Sequence, residues 1–210
     1  MDANDGRVAT PFIEWGVALR EFSGQDESGD GYLVEAHSDG VLVAVVDGLG
    51  HGPQAAEVAK IALAALEGHG DKSVDFLFKR CHRELAGTRG VVMSLALLDV
   101  RDETMTWVGV GNVTGLLLRA DSQTKRVRET LLPRGGVVGY RLPSLYPIVI
   151  PVVPGDTLIF ATDGLRSGFT EDVPLNDVPQ QIAEYILEHY GRDTDDALVL
   201  VARCVWGAEN

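Results

Sequence analysis

Val41-Leu42-Val43-Ala44-Val45-Val46 is followed directly by Asp47-Gly48. A short, β-branched, apolar run of this kind has the composition of a buried strand, and this one ends on a carboxylate. Two further runs repeat the pattern: Thr157 to Thr162 (TLIFAT) leads into Asp163-Gly164, and Asp195-Asp196 leads into Ala197 to Arg203 (ALVLVAR). If the three strands lie side by side in one sheet, their acidic ends converge, and converging carboxylates suit a divalent cation. The glycine after Asp47 and after Asp163 lets the chain turn sharply and leaves a main-chain carbonyl open as a further oxygen ligand. One Asp-Gly pair alone is ordinary turn chemistry; three acidic strand ends in one chain favour a metal site.

The segment Gly48-Leu49-Gly50-His51-Gly52-Pro53 passes from the first Asp-Gly into Gln54 to Glu67, alanine-rich with apolar residues at helical spacing, and Pro53 suits the first helical position. A helix beginning there presents free N–H groups and a positive dipole end, which favour an anion such as phosphate. The Gly-Lys-Ser/Thr of a Walker loop is absent, and the stretch does not match a dinucleotide fingerprint.

The other predicted strands are Phe12 to Leu19, Tyr32 to His37, Val91 to Val100, Thr104 to Val110, Thr114 to Arg119 and Val127 to Leu132, the last four reading as an antiparallel meander. Further helices are expected over Val74 to Leu85 and Val178 to His189, and Pro143 to Pro154, with four prolines, suits an edge strand or extended loop. Such runs imply a layered α+β domain with helices covering antiparallel sheets. At 210 residues the chain buries about 70 % of its unfolded surface in one core, and no linker-like stretch divides it, so residues 1–210 read as a single domain.

Eighteen basic against 31 acidic residues give a net charge of −13, which argues against nucleic-acid binding. No apolar run reaches the roughly 18 residues of a membrane span, and the polar stretch Met1 to Thr10 does not resemble a signal peptide. Cys81 and Cys204, without paired spacing, suggest free thiols in a reducing cytoplasm. His37, His69, His82 and His189 lack ligand-like spacing and read as surface residues, and Trp15, Trp107 and Trp206 read as packing residues.

Ser28-Gly29-Asp30, Val45 to Gly52, Pro154-Gly155-Asp156 leading to Ala161-Thr162-Asp163-Gly164-Leu165, and Asp195-Asp196-Ala197 occur in an order that resembles the metal-dependent Ser/Thr protein phosphatases of type 2C, the PPM superfamily, in its compact bacterial branch. The resemblance covers nearly the whole chain and implies an αββα sandwich and two Mn2+ or Mg2+ ions. It implies that Asp47 bridges both ions, that the Gly48 carbonyl and Asp30 complete one, and that Asp163 with Asp195 complete the other. Asp196 is the alternative to Asp195, because successive strand side chains point to opposite faces and only one of the pair is a direct ligand; the reading favours Asp195. Two such ions activate a water for in-line attack at phosphorus, with no covalent phosphoenzyme.

Arg20 is a candidate for a bidentate grip on phosphate, against the reading of a surface arginine at a strand end. His51 is a candidate general acid for the leaving Ser or Thr oxygen. The family pattern Asp-Gly-His-Gly has its histidine two residues earlier, and a plain helix-entry histidine stands as the alternative. At Val110-Gly111-Asn112-Val113, larger relatives carry Gly-Asp-Ser for a third metal; Asn112 is neutral, so a third ion should be weak or absent. The resemblance implies phosphorylated stressosome scaffold and STAS-domain proteins as substrates; with no separate targeting domain legible in the sequence, loops around the cleft such as Arg134 to Tyr146 are the expected recognition surface. A hydrolase of small phosphorylated metabolites and a non-catalytic binding module of the same fold are the alternatives.

Overall fold

The computed structural model describes residues 8–10, 12–22, 24, 27–120, 128–171, 173–174 and 176–206. Its elements run β1 (Val8–Ala9), β2 (Ile13–Arg20), β3 (Asp30–His37), β4 (Gly40–Gly48), α1 (Pro53–Leu66), α2 (Val74–Glu84), β5 (Val91–Asp99), β6 (Thr104–Val110), β7 (Thr114–Leu118), β8 (Arg128–Leu131), β9 (Ile148–Pro151), β10 (Thr157–Ala161), α3 (Pro179–Tyr190) and β11 (Ala197–Cys204). Two antiparallel sheets result, one ordered β3-β4-β5-β6-β9 and the other β1-β2-β11-β10-β7-β8. α1 and α2 pack on the outer face of the first and α3 on the outer face of the second, which makes the αββα sandwich.

Side-chain parity explains why the opening run lacks polar alternation. Val41, Val43 and Val45 of β4 enter the core between the sheets with Phe160, Leu198 and Leu200, whereas Leu42, Ala44 and Val46 face Ala62, Leu66 and Phe78 of the helices. A strand covered on both faces is apolar at every position, and each aliphatic side chain so buried contributes roughly 1.5–3 kcal/mol. β10 and β11 are buried in the same two-sided way, with Ile159, Ala161, Val199 and Val201 turned toward α3.

The three acid-tipped strands do not share a sheet. β4 lies in one, while β10 and β11 are neighbours in the other; their acidic ends meet because the sheets stack with those ends at one edge of the sandwich. Two-sided burial erases the sequence signal for sheet membership. Nor do β5 to β8 form one meander. β5 pairs with β6 and β7 with β8, but the chain crosses between sheets at Gly111 to Val113, where Gly111 has φ 104° and Ser94 Oγ donates to the Val113 carbonyl at 3.0 Å.

The glycines of the two Asp-Gly pairs also differ from expectation, since neither has a positive φ. They are there for closeness: a Cβ on Gly48 would lie 2.2 Å from the Ala55 carbonyl oxygen of α1, and one on Gly164 would lie 2.0 Å from the Asp196 carbonyl oxygen. Pro143 to Pro154 contains β9 at a sheet edge, and β1 has no counterpart in the sequence reading. Residues 1–7, Gln25, Asp26 and Val127 lie outside the described residues.

Trp107 and Trp206 are buried between the sheets, and Trp15 tilts against Tyr32 with ring centroids 5.8 Å apart. Cys81 and Cys204 are buried and free, and burial pushes both thiols up to about 12. His82 is not a surface residue: it is half-buried on α2, and its Nδ1 accepts the Gly139 N–H at 2.9 Å. Among the described residues no helix is long and apolar enough to cross a membrane.

Candidate metal centre

Asp30 and Asp47 face each other across the β3–β4 ladder, Cα partner to Cα partner. Both continue the parity of the inter-sheet side, Asp30 in phase with Tyr32 and Asp47 in phase with Val45. Like charges directly opposite each other destabilise a sheet, so this pair requires a compensating cation or a proton. From the other sheet, Asp163 follows β10, and Asp195 and Asp196 precede β11. Together with Leu49, Gly50, His51, Asn112 and Thr194 these carboxylates line a cleft of about 230 Å³.

The protein holds this acidity in check with few groups. Thr162 Oγ donates to Asp30 Oδ2 at 2.7 Å, a bond from one sheet to the other, and Asn112 Nδ2 donates to Asp163 Oδ2 at 2.7 Å. Burial pushes the Asp30 carboxyl up to about 7 despite the Thr162 bond, with repulsion from Asp196, Asp163 and Asp195 adding to it. Burial and repulsion from Asp30 and the other cleft carboxylates push Asp47 up to about 8, and burial also raises Asp195. As the side chains stand, no three acidic, histidine or cysteine groups among the described residues form a closed ligand set. The carboxylate oxygens nonetheless fit hard divalent cations, and no thiolate lines the cleft.

The two members of the Asp195-Asp196 pair have different surroundings. Asp196 is buried, and its two oxygens accept backbone N–H groups of Phe22 at 2.8 Å and Gly29 at 2.9 Å, which fixes the loop leading into Asp30. Asp195 is half-exposed in the cleft and accepts the Asp196 N–H at 3.0 Å. The structure also brings His51 to the cleft wall, its ring 5.6 Å from that of Phe22.

Arg20 is not brought there. It pairs with Ala197 in the β2–β11 ladder, on the face turned toward α3, and its guanidinium meets Asp193 at 3.2 Å and the Leu187 carbonyl at 3.3 Å. The cation beside the glycine-rich turn is Arg89, which donates to the Leu49 carbonyl at 2.9 Å and to Gln54 Oε1. Neither Thr162 nor Arg89 stands out in the sequence; Thr162 was legible only as the residue before Asp163, and Arg89 carries no motif.

The raised carboxyls give the metal-free protein a pH dependence of definite sign. An ordinary Asp titrates near 3.9, so between about pH 4 and pH 8 the folded state holds protons on Asp30 and Asp47 that the unfolded chain has lost, and stability falls as pH rises through that window. Each tenfold difference in proton affinity between the folded and unfolded states corresponds to about 1.4 kcal/mol, and about 2–4 °C of melting temperature accompanies each kcal/mol at this size. Melting in chelator should therefore drop by several degrees or more from pH 5 to pH 8, and Mg2+ should flatten the slope. A level profile in chelator would contradict the proposed charge imbalance.

A family model for stage II sporulation protein E (SpoIIE) matches residues 37–205. The phosphoserine phosphatase RsbX of Bacillus subtilis (strain 168) is 28% identical over 143 residues, 68% of this chain and 70% of that protein. A chain from the solved structure "The bacterial stressosome: a modular system that has been adapted to control secondary messenger signaling" superposes with a TM-score of 0.82 at 34% identity, covering 91% of this chain and 99% of that one. RsbX in complex with magnesium superposes with a TM-score of 0.81 at 20% identity over 94% of this chain and 98% of the other. The match over residues 37–205, on a chain with this sandwich fold and acid-lined cleft, places the protein in the SpoIIE family.

Proposed function

We propose that the chain is a metal-dependent protein phosphatase that removes phosphate from Ser or Thr of stressosome scaffold and STAS-domain proteins in the cytoplasm, acting as one domain over residues 1–210. The observation that carries this reading is the meeting of Asp30, Asp47, Asp163 and Asp195 from two sheets in one cleft. The family, the phosphoserine phosphatase among its relatives and the stressosome chain among its neighbours support the substrate class.

Asp47, Asp30 and the Gly48 carbonyl would hold one Mg2+ or Mn2+, and Asp47, Asp163 and Asp195 the other. Such ions, when bound, lower the pKa of a water and offset the charge of a phosphate dianion. The residues of the chain do the rest. Asp196 anchors the Phe22 and Gly29 backbone so that Asp30 stays in place. α1 begins without a side-chain cap next to the cleft turn, leaving N–H groups that favour an anion. His51, on the cleft wall, gives a ring proton to the departing Ser or Thr oxygen.

Manganese-dependent phosphate release from a serine-phosphorylated STAS-domain protein and from an aryl phosphate tests both the reaction and His51. Release should vanish in excess chelator; turnover by demonstrably metal-free protein would sink the reading. An aryl oxide leaves without help, whereas an alkoxide gains about 10²–10⁴ from a positioned acid. His51→Ala should therefore lower kcat on the phosphoprotein far more than on the aryl phosphate. An unchanged ratio of the two rates would remove His51 from the proton transfer.

A further inference from the structure

Of the eight large apolar side chains that stand exposed among the described residues, six fall between positions 132 and 153: Leu132, Tyr140, Tyr146, Ile148, Val149 and Val153. Their clustering has a structural origin. β9 pairs with β6 only over Thr104–Trp107, and beyond Trp107 that side of β6 receives a single bridge, from Arg134 to Val110. The uncovered stretch of β6, with Leu132, Arg134, Leu145, Tyr146 and Ile148, encloses a cavity of about 140 Å³. A cavity of roughly 150 Å³ accommodates benzene, whereas small-molecule sites run from about 300 Å³ upward. This one has the size of a single apolar side chain.

Its wall carries a cation in a chain of net charge −13: the Arg134 guanidinium lies 4.0 Å from the centre of the Tyr146 ring. The backbone also ties the cavity to the acidic cleft. Arg134 donates its N–H to the Gly109 carbonyl at 2.9 Å and accepts the Gly111 N–H at 2.8 Å, and the next residue, Asn112, reaches Asp163. Further along, Val138 and Val91 exchange two bonds of 2.9 Å, beside Gly90, whose carbonyl accepts the N–H of cleft-wall Leu49 at 3.2 Å. The segment that bears the apolar side chains is therefore bonded to both sides of the cleft.

We propose that this cavity docks one apolar side chain of the phosphoprotein substrate, with an acidic group of that substrate against Arg134, while the phosphoserine enters the cleft; the proposal rests on the phosphatase reading above. Continuity with the cleft argues for the substrate as occupant, and the Arg134 guanidinium sets the sign of the group that would sit beside it. Specificity for a protein over a bare phosphate ester then resides in this patch, since a small ester reaches the cleft without touching it.

The test uses Leu132→Glu and Arg134→Glu in the full chain, both at exposed side chains. With Mn2+ and a serine-phosphorylated STAS-domain protein, KM should rise roughly tenfold or more, while kcat/KM for an aryl phosphate stays within about twofold. In an Asp163→Asn background, calorimetric Kd for the same phosphoprotein should weaken by a similar factor. That arm needs no turnover, so an inactive wild type would overturn the reaction and leave docking to be decided by binding. Unchanged KM and Kd in both variants would overturn the docking site. So would sedimentation showing that Leu132→Glu separates a dimer while the phosphoprotein Kd stays as in the parent.

Discussion

Asp47→Asn and Asp163→Asn are each expected to leave a folded protein and to reduce phosphate release by roughly 10² or more, the usual cost of removing a main electrostatic element of a transition state. For Asp47→Asn the structure adds a second, opposite expectation. Asp47 lies directly across from Asp30, and burial and neighbouring carboxylates already force its pKa to about 8. An amide of the same shape removes that repulsion. In chelator near pH 8 the inactive variant should melt at a higher temperature than the wild type, the trade of stability against activity that functional sites show. Phosphate release at saturating Mn2+ and melting in chelator are the two measurements. Near wild-type turnover by either variant would displace the centre from this cleft, and a lower metal-free melting point for Asp47→Asn would mean that the carboxylate has a compensating partner.

Gly48→Ala should damage both stability and turnover with a single added methyl group. Its Cβ would sit 2.2 Å from the Ala55 carbonyl oxygen and 2.9 Å from Val58 Cγ2. The first of these is backbone at the start of α1 and cannot rotate away. Overpacking of this kind costs about 1–3 kcal/mol or more, hence roughly 2–12 °C of melting temperature at about 2–4 °C per kcal/mol. The residue it displaces follows Asp47 and supplies the carbonyl assigned to one ion, so turnover should fall as well. Thermal melts and phosphate release on the same preparation check both halves. Wild-type melting would show that α1 has room to retreat.

The two predictions rest on residues of unequal legibility. Asp47, Asp163 and Asp195 could be read because each caps an apolar run, and strand ends are where a sandwich exposes polar chemistry. Which sheet each strand joins could not be read, because β4, β10 and β11 are apolar on both faces and periodicity then carries no information about neighbours. Arg20 shows the same gap from another side. Its strand was visible but its register against β11 was not, and that register turns it toward α3 and Asp193. The glycine of Asp-Gly suggested a turn, since turns are where glycine is commonest, whereas contact with the Ala55 carbonyl depends on how closely α1 folds back over the end of β4, which residue type alone does not show. His82 looked like a surface residue for a related reason: its partner, the Gly139 N–H, is 57 positions away.

Because Asp30 and Asp47 belong to one sheet and Asp163, Asp195 and Asp196 to the other, the cleft is also a caliper that registers how far apart the two layers stand. The Thr162 to Asp30 bond spans the same gap. If the cleft holds the proposed ions, whatever presses the layers together or pries them apart, even at a surface distant from the cleft, would change cation affinity, and by reciprocity cation binding would change the affinity for that agent by the same factor. A regulator of this protein would therefore need no access to the cleft at all. It would need only to hold one layer at a different distance from the other.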